Sequence, residues 1–226
     1  MLSDAGAEDL ARGIHSLRAH WIPRAGALPF FTLGAAAYLD GPLDGEIYRH
    51  RWEVSNGILQ GSFAELYSEL SRILSETLGM PVEWHPAAAL PGFHIYQMHR
   101  AFYGRGGSIH LDLQYDHVNW EIVGDPDFGS VISFTLPIVL PAAGGGLRWW
   151  EGIDPVVWTA ASKPERQRII REAPLHYLPY RVGTMVVHSG QIVHQIAPGQ
   201  MLESEEERVT LQGHGIRVGD RVVCYW

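Results

Sequence analysis

Cysteine is almost absent. Cys224 is the only one in the chain, so no disulfide can close within it and no cysteine-rich zinc or iron–sulfur site can be built. Positive charge is also scarce. Lys+Arg number 17 against 25 Asp+Glu, a formal net charge of −8, which argues against nucleic acid or an anionic membrane surface as the main partner. Lys163 is the sole lysine, which reads as a coding bias. No apolar run approaches the roughly 18 residues of a membrane span; the longest, 28–39 and 131–141, are short and contain Pro or Gly. The first residues carry Asp4, Glu8 and Asp9 where a secretory signal has a basic region followed by an apolar one, so a cytoplasmic location is expected. Repeats and low-complexity tracts are missing as well.

What remains is a globular composition. The 226 residues are 46% hydrophobic and 19% charged, enough to bury a sizeable core, and one domain over 1–226 is expected. The 12 histidines are more than such a chain usually carries, which makes metal or proton chemistry worth seeking.

The pattern predicts a mainly β fold with helical support, in which N-terminal helices and strands over 1–90 pack on a β core over 91–226. Leu10, Ile14 and Leu17 recur at helical spacing and predict a helix from 1 to about 20. The stretch 23–42 reads as packed strand or loop. Ser62 and Glu65 suggest a capping box, followed by Phe63, Leu66, Tyr67, Leu70 and Leu74 on one stripe and a stop at Gly79 and Pro81, hence a helix over 62–79. Beyond Pro91, eight short segments rich in β-branched and aromatic residues alternate with Gly/Pro turns: 93–99, 108–115, 130–140, 147–150, 180–188, 192–196, 209–216 and 221–226. Strands at this spacing suggest a sandwich or barrel. One helix interrupts them, capped by Ser162, with Pro164 and Glu165 in its first turn and Ile169 and Ile170 inward.

His110-Leu111-Asp112 is the central motif. On an extended backbone the side chains at 110 and 112 project to one side. An imidazole and a carboxylate so placed are two of the three ligands of a facial triad, which leaves open positions on Fe(II). His194 follows 82 residues beyond Asp112, within a second strand after a Ser-Gly turn, and Arg208 follows 14 residues later with Thr210 on its face. The planar fork of arginine suits a carboxylate.

This ordered set resembles the iron(II)- and 2-oxoglutarate-dependent dioxygenases. The match comprises His110-x-Asp112, the distal His194 with its continuation to Ile196 and Pro198, and Arg208-x-Thr210. It covers roughly 91–226 and is similar to the prolyl-hydroxylase-like branch, in which a glycine-containing segment precedes the H-x-D strand, here Tyr103-Gly104-Arg105-Gly106-Gly107. The resemblance implies a double-stranded β-helix, or jelly roll. It implies Fe(II) held by His110, Asp112 and His194, and the distal carboxylate of 2-oxoglutarate anchored by Arg208 with Thr210 or Tyr96 assisting. O2 and a small-molecule substrate, such as an amino acid or a natural-product intermediate, complete the reaction, an oxidoreductase hydroxylation in biosynthesis that releases succinate and CO2. That branch often uses lysine at the anchor, where this chain has arginine. Asp112 argues against a halogenase, whose relatives carry a small residue there.

Other readings stand beside these. His188 rivals His194 as the distal ligand. Asp116 and His117 are adjacent, point to opposite faces and cannot both bind one metal from a strand, which leaves Asp116 or His117 for the rim of a pocket. Arg208 follows Glu205, Glu206 and Glu207 and a surface ion pair would satisfy it. Tyr96 and His94 share a face and suit either packing or the cosubstrate. Arg148 and Trp150 share a face and suit a substrate pocket or the core. Residues 117–129 are a connection or a lid. A cupin-type metal enzyme that does not use 2-oxoglutarate, or a non-catalytic ligand-binding jelly roll, is the alternative function.

Overall fold

The structure is a computed structural model that describes every residue except 1, 27, 98, 100, 101, 103, 105 and 201–205. In chain order the elements are α1 (Asp4–Ser16), β1 (Ile22–Ala25), β2 (Leu28–Leu33), α2 (Ala37–Asp40), α3 (Gly45–Leu78), β3 (Val82–Trp84), β4 (Gly92–Gln97), β5 (Pro126–Val139), β6 (Ala143–Gly144), β7 (Leu147–Trp150), α4 (Pro155–Ala160), α5 (Lys163–Glu172), β8 (Leu175–Leu178), β9 (Val186–Ser189), β10 (Val193–Ile196), β11 (Gly199–Gln200), β12 (Glu207–Val218) and β13 (Arg221–Tyr225). Short 3-10 turns occupy Arg18–His20 and Gln114–His117.

Eight strands form the large sheet. It runs β1-β2-β4-β12-β13-β3, with β5 on the other edge of β12 and β9 beyond β5. All its pairings are antiparallel except β13 with β3. A second antiparallel sheet, β10-β7-β8, and the small pair β11-β6 accompany it. The strand period of two divides the large sheet into an apolar and a polar face. Leu33, Phe93, Ile95, Leu136, Val209 and Leu211 belong to one buried cluster with Ile14 of α1 and Leu59, Phe63, Tyr67, Leu70 and Leu74 of α3. The alternate residues His94, Tyr96, Arg208, Thr210, Gln212 and His214 fall on the other face, towards the second sheet.

Several expectations change. α3 begins at Gly45, not 62, with Asp44 accepting from the backbone N–H of Glu46 at 2.9 Å. Its first half presents only Tyr48, Ser55 and Leu59 inward, too sparse a stripe to read as a helix. Ser62 is therefore mid-helix, beside a kink at Phe63 (φ −134°, ψ 31°). Segment 108–115 is no ladder strand. His110 makes one bridge to His194, Asp112 N–H donates to Gly190 O at 2.8 Å, and the chain then closes the 3-10 turn. The strand expected over 180–188 is confined to β9, because Gly183 turns with a positive φ of 73° and packs against Leu2. The inserted helix stands as α5, where Glu165 accepts from Ser162 N–H at 2.8 Å, and α4 precedes it. No helix among the described residues is long and apolar enough to cross a membrane.

Candidate metal and cosubstrate site

A cavity of about 460 Å³ lies between the polar face of the large sheet and the second sheet, lined by Tyr96, Thr135, Gln212 and His214 from one and Leu147, His194 and Ile196 from the other. His110 and His194 exchange backbone hydrogen bonds, N to O at 3.0 Å in both directions. Their rings come together at 4.4 Å, with Asp112 alongside. His110 Nε2 lies 3.5 Å from Asp112 Oδ1, and His194 Nε2 lies 3.4 Å from Asp112 Oδ2. Among the described residues these three are the group whose ligand atoms converge, all within 4.8 Å of one another.

The imidazoles are set for a metal. His110 Nδ1 lies 2.8 Å from Ser108 O, and His194 Nδ1 lies 2.9 Å from Ile192 O. A carbonyl can only accept, so both protons sit on Nδ1 and both Nε2 lone pairs face Asp112, the arrangement that orients metal-binding histidines. Burial acts to raise the Asp112 carboxyl's pKa, but the imidazoles of His194, His214 and His110 together outweigh it and hold it well below the usual range. His194 is pushed down to about 4 by burial, against the pull of Asp112. His110 is raised instead, its burial outweighed by the hydrogen bond and charge of Asp112, so without metal it holds a proton more readily. A neutral imidazole and an ionised carboxylate are the forms that ligate, and a metal would compete with that proton.

The second feature is a buried guanidinium just behind the cavity wall, since neither Arg208 nor Thr210 is among the cavity's lining residues. Arg208 is 5% exposed, and its Nε and one terminal nitrogen have no hydrogen-bond partner. Its guanidinium lies over the rings of Tyr96 and Tyr180, at 5.9 and 5.8 Å, and burial lowers its pKa. The described part of the acidic run is engaged elsewhere: Glu207 pairs with His15 at 2.6 Å and Glu206 accepts from Ala142 N–H; Glu205 is outside the described residues. The Thr210 hydroxyl, also buried, has no partner either. Buried polar groups are nearly always satisfied, so this pair is a candidate seat for an anion. Tyr96 lines the cavity, stacked on Phe30 at 4.2 Å.

The remaining sequence-derived residues divide. His117 lines the cavity. Arg148 and Trp150 are not among its lining residues. Trp150 is buried with Leu111, Trp158 and Val193 in a separate apolar cluster, against which Ile169 and Ile170 of α5 pack, so the inserted helices take the face that a substrate pocket would have needed. His188 lines the cavity with its ring 4.7 Å from His194, yet stands outside the converging group. Gly106 and Gly107 pack on β10, and a Cβ at 106 would meet Gln195 at 2.6 Å; Tyr103 and Arg105 lie outside the described residues. Segment 117–129 is anchored by Val118 and Trp120 in the second core cluster, as a connection is. Tyr180, Ser133, Gln114, Gln212 and His214 line the cavity and were not singled out. Alternation along β12 from Arg208 points to Gln212 and His214; nothing local marks Tyr180, which reaches the cavity from a loop.

No protein-family model matches the sequence, and no curated protein sequence resembles it significantly. Solved structures do. An N-substituted L-amino acid dioxygenase from Burkholderia ambifaria AMMD, in complex with α-ketoglutarate, aligns with a TM-score of 0.55 at 14% identity over 96% of this chain and 91% of its own. The non-haem α-ketoglutarate-dependent epimerase SnoN of nogalamycin biosynthesis aligns at 0.53, with 13% identity over 96% and 78%. The non-haem α-ketoglutarate-dependent carbocyclase SnoK of the same biosynthesis aligns at 0.52, with 13% identity over 96% and 79%. At these identities the likeness shows a shared fold, and the fold is one used by iron- and 2-oxoglutarate-dependent enzymes.

Proposed function

We propose that the chain is an Fe(II)- and 2-oxoglutarate-dependent oxygenase with a jelly-roll core, acting on a small molecule. The observation that carries this is the joint presence of three converging ligands on one cavity and, behind the cavity-lining rings of Tyr96 and Tyr180, a buried guanidinium with two unpartnered nitrogens. Three protein ligands of this kind leave metal positions open for other groups. Arg208, with Thr210, Tyr96 and Tyr180 around it, offers a charged, desolvated seat for the distal carboxylate of a 2-oxo dicarboxylate. A metal enzyme that takes no anionic cosubstrate gives no reason for that buried cation.

When bound, Fe(II) and 2-oxoglutarate supply the oxidation of an unactivated C–H bond by O2, with release of succinate and CO2. The chain's own residues hold and orient. His110, Asp112 and His194 hold the metal, Arg208 fixes the cosubstrate, and Phe30, Tyr38, Phe134 and Leu147 give the cavity apolar lining against which a substrate packs. Hydroxylation is the reading for the outcome, and an amino acid or natural-product intermediate is the reading for the substrate.

The test is an anaerobic titration of metal-free protein with Fe(II) and 2-oxoglutarate, followed by visible absorbance. A charge-transfer band from the chelated keto acid is expected. It should vanish in His194→Ala, survive in His188→Ala and weaken in Arg208→Ala. Iron binding without the band would favour the cupin-type enzyme, and no iron binding would favour the non-catalytic domain. Loss of the band in His188→Ala alone would reassign the distal ligand.

A further inference from the structure

Asp112 has a support that no part of the reading above uses. Ser133 of β5 donates its hydroxyl proton to Asp112 Oδ2 in a short hydrogen bond, and Ser133 Oγ also lies 3.0 Å from Nδ1 of His214 on β12. The three side chains are buried. Ser133 and His214 are direct cross-strand partners in the β5–β12 ladder, so the sheet itself sets their spacing. His214 Nδ1 stands 3.9 Å from Asp112 Oδ2, too far for a hydrogen bond, which makes the serine the intermediary. Gly190 keeps the approach open: a Cβ there would meet Ser133 Oγ at 3.1 Å and Asp112 Cβ at 3.2 Å.

The donor directions follow from the groups. An ionised carboxylate only accepts, and a serine hydroxyl has one proton. That proton goes to Asp112, so the serine oxygen meets His214 as an acceptor and His214 must carry its proton on Nδ1. The other carboxylate oxygen, Oδ1, accepts from Gln114 Nε2 at 3.0 Å. Both oxygens are thus held, one from the 3-10 turn and one from the large sheet.

The geometry points to Ser133 and His214 as positioning residues: His214, through Ser133, holds the Asp112 carboxylate in the orientation a metal requires. This rests on the metal-site reading above. Outer hydrogen bonds of this kind are typically worth about 10- to 100-fold in metal affinity.

Co(II) is the probe, because its visible bands report both affinity and ligand geometry. Metal-free protein is titrated anaerobically with Co(II) alone, with near-UV circular dichroism checking the fold. Ser133→Ala should bind Co(II) about 10- to 100-fold more weakly, with altered bands. Ser133→Thr, which restores the hydroxyl on a strand, should recover the parent affinity and spectrum. His214→Asn places an N–H near the Nδ1 position and should stay within about threefold of the parent, whereas His214→Gln, whose amide reaches towards the Nε2 position, should resemble Ser133→Ala. Parent-like binding by Ser133→Ala, no rescue by a folded Ser133→Thr, or equal behaviour of the two His214 variants would overturn the proposal while the metal site stands. A parent that binds no Co(II), or whose binding survives His110→Ala, overturns the site and the proposal with it.

Discussion

Arg208 and Asp40 are both buried charges, and the structure treats them oppositely. The Asp40 carboxylate receives Arg24 through two nitrogens at 2.5 and 2.9 Å, Arg51 in a shorter contact, and the Ala36 N–H at 2.9 Å. Burial acts to raise its pKa, yet the hydrogen bonds from Arg24, Ala36 and Arg51 outweigh it and hold it low. Breaking such a set leaves buried cations uncompensated, so Asp40→Asn should cost about 3–5 kcal/mol in a urea titration. A depressed carboxyl contributes stability that is fully present above its unfolded pKa and lost as pH falls through the folded one. The cost of Asp40→Asn should therefore shrink below about pH 4. Two of the Arg208 nitrogens have no hydrogen-bond partner among the described residues. A buried cation left so is a cost to the fold, so Arg208→Met should raise the stability of the metal-free protein, by roughly 1–4 kcal/mol on the precedent of buried charges replaced by apolar residues. The same variant should weaken 2-oxoglutarate binding at least about 100-fold, the loss of roughly 3 kcal/mol of charge-assisted hydrogen bonding. Calorimetry of the apoprotein and a cosubstrate titration read the two effects separately. Arg208→Met that destabilises the apoprotein and leaves cosubstrate binding intact would return Arg208 to a structural role.

At the scale of elements, β4 shows how closely the strands are fitted. A Cβ on Gly92 would sit 2.0 Å from Cζ3 of Trp226, whose indole is fully buried. Gly92→Ala should displace that indole and cost about 1–3 kcal/mol as overpacking, seen as a lower denaturation midpoint with unchanged m-value. Legibility also divides by element. His110 and Asp112 were read to one side from a strand that the structure replaces with one bridge and a turn. The inference held because extended backbone alternates its side chains whether or not it joins a ladder. β12 was legible because Val209 and Leu211 alternate with Arg208 and Thr210, and one core face fixes the other. The first half of α3 was not, since Ser55 takes an inward position and the sparse stripe at Tyr48 and Leu59 leaves no helical period. Trp150 shows a different limit: alternation says which residues share a face, but which face meets the cavity depends on where α4 and α5 fold back. Tyr180 reaches Arg208 from a loop, and no local pattern encodes that approach.

The whole molecule sets an apolar sheet face against α1 and α3 and keeps the polar face for the cavity, so its acid stability is governed by imidazoles enclosed there. His94, fully buried beneath the cavity and hydrogen-bonded to Tyr38, is pushed from its ordinary 6.5 down to about 3, first by burial and then by the charges of Arg208 and Arg24. His194 and His214 at the cavity and His85 away from it are lowered as well, each chiefly by burial, whereas His110 is raised, its burial outweighed by Asp112, and offsets one of them. The sign follows from linkage. Below pH 6.5 the unfolded chain takes up protons that the folded one refuses, so stability falls as pH drops, with a slope of about 1.4 kcal/mol per pH unit for each such histidine. The metal-free protein should thus begin to lose stability near pH 6.5, well above the range where carboxylates alone would act. His94→Gln keeps an acceptor for Tyr38 and removes one titrating ring. Its unfolding free energy, measured by urea titration between pH 6.5 and 4, should fall with a slope smaller by about one proton than the parent's. An unchanged slope would mean that His94 charges within the folded protein, and that the polar face is wetter than its burial implies.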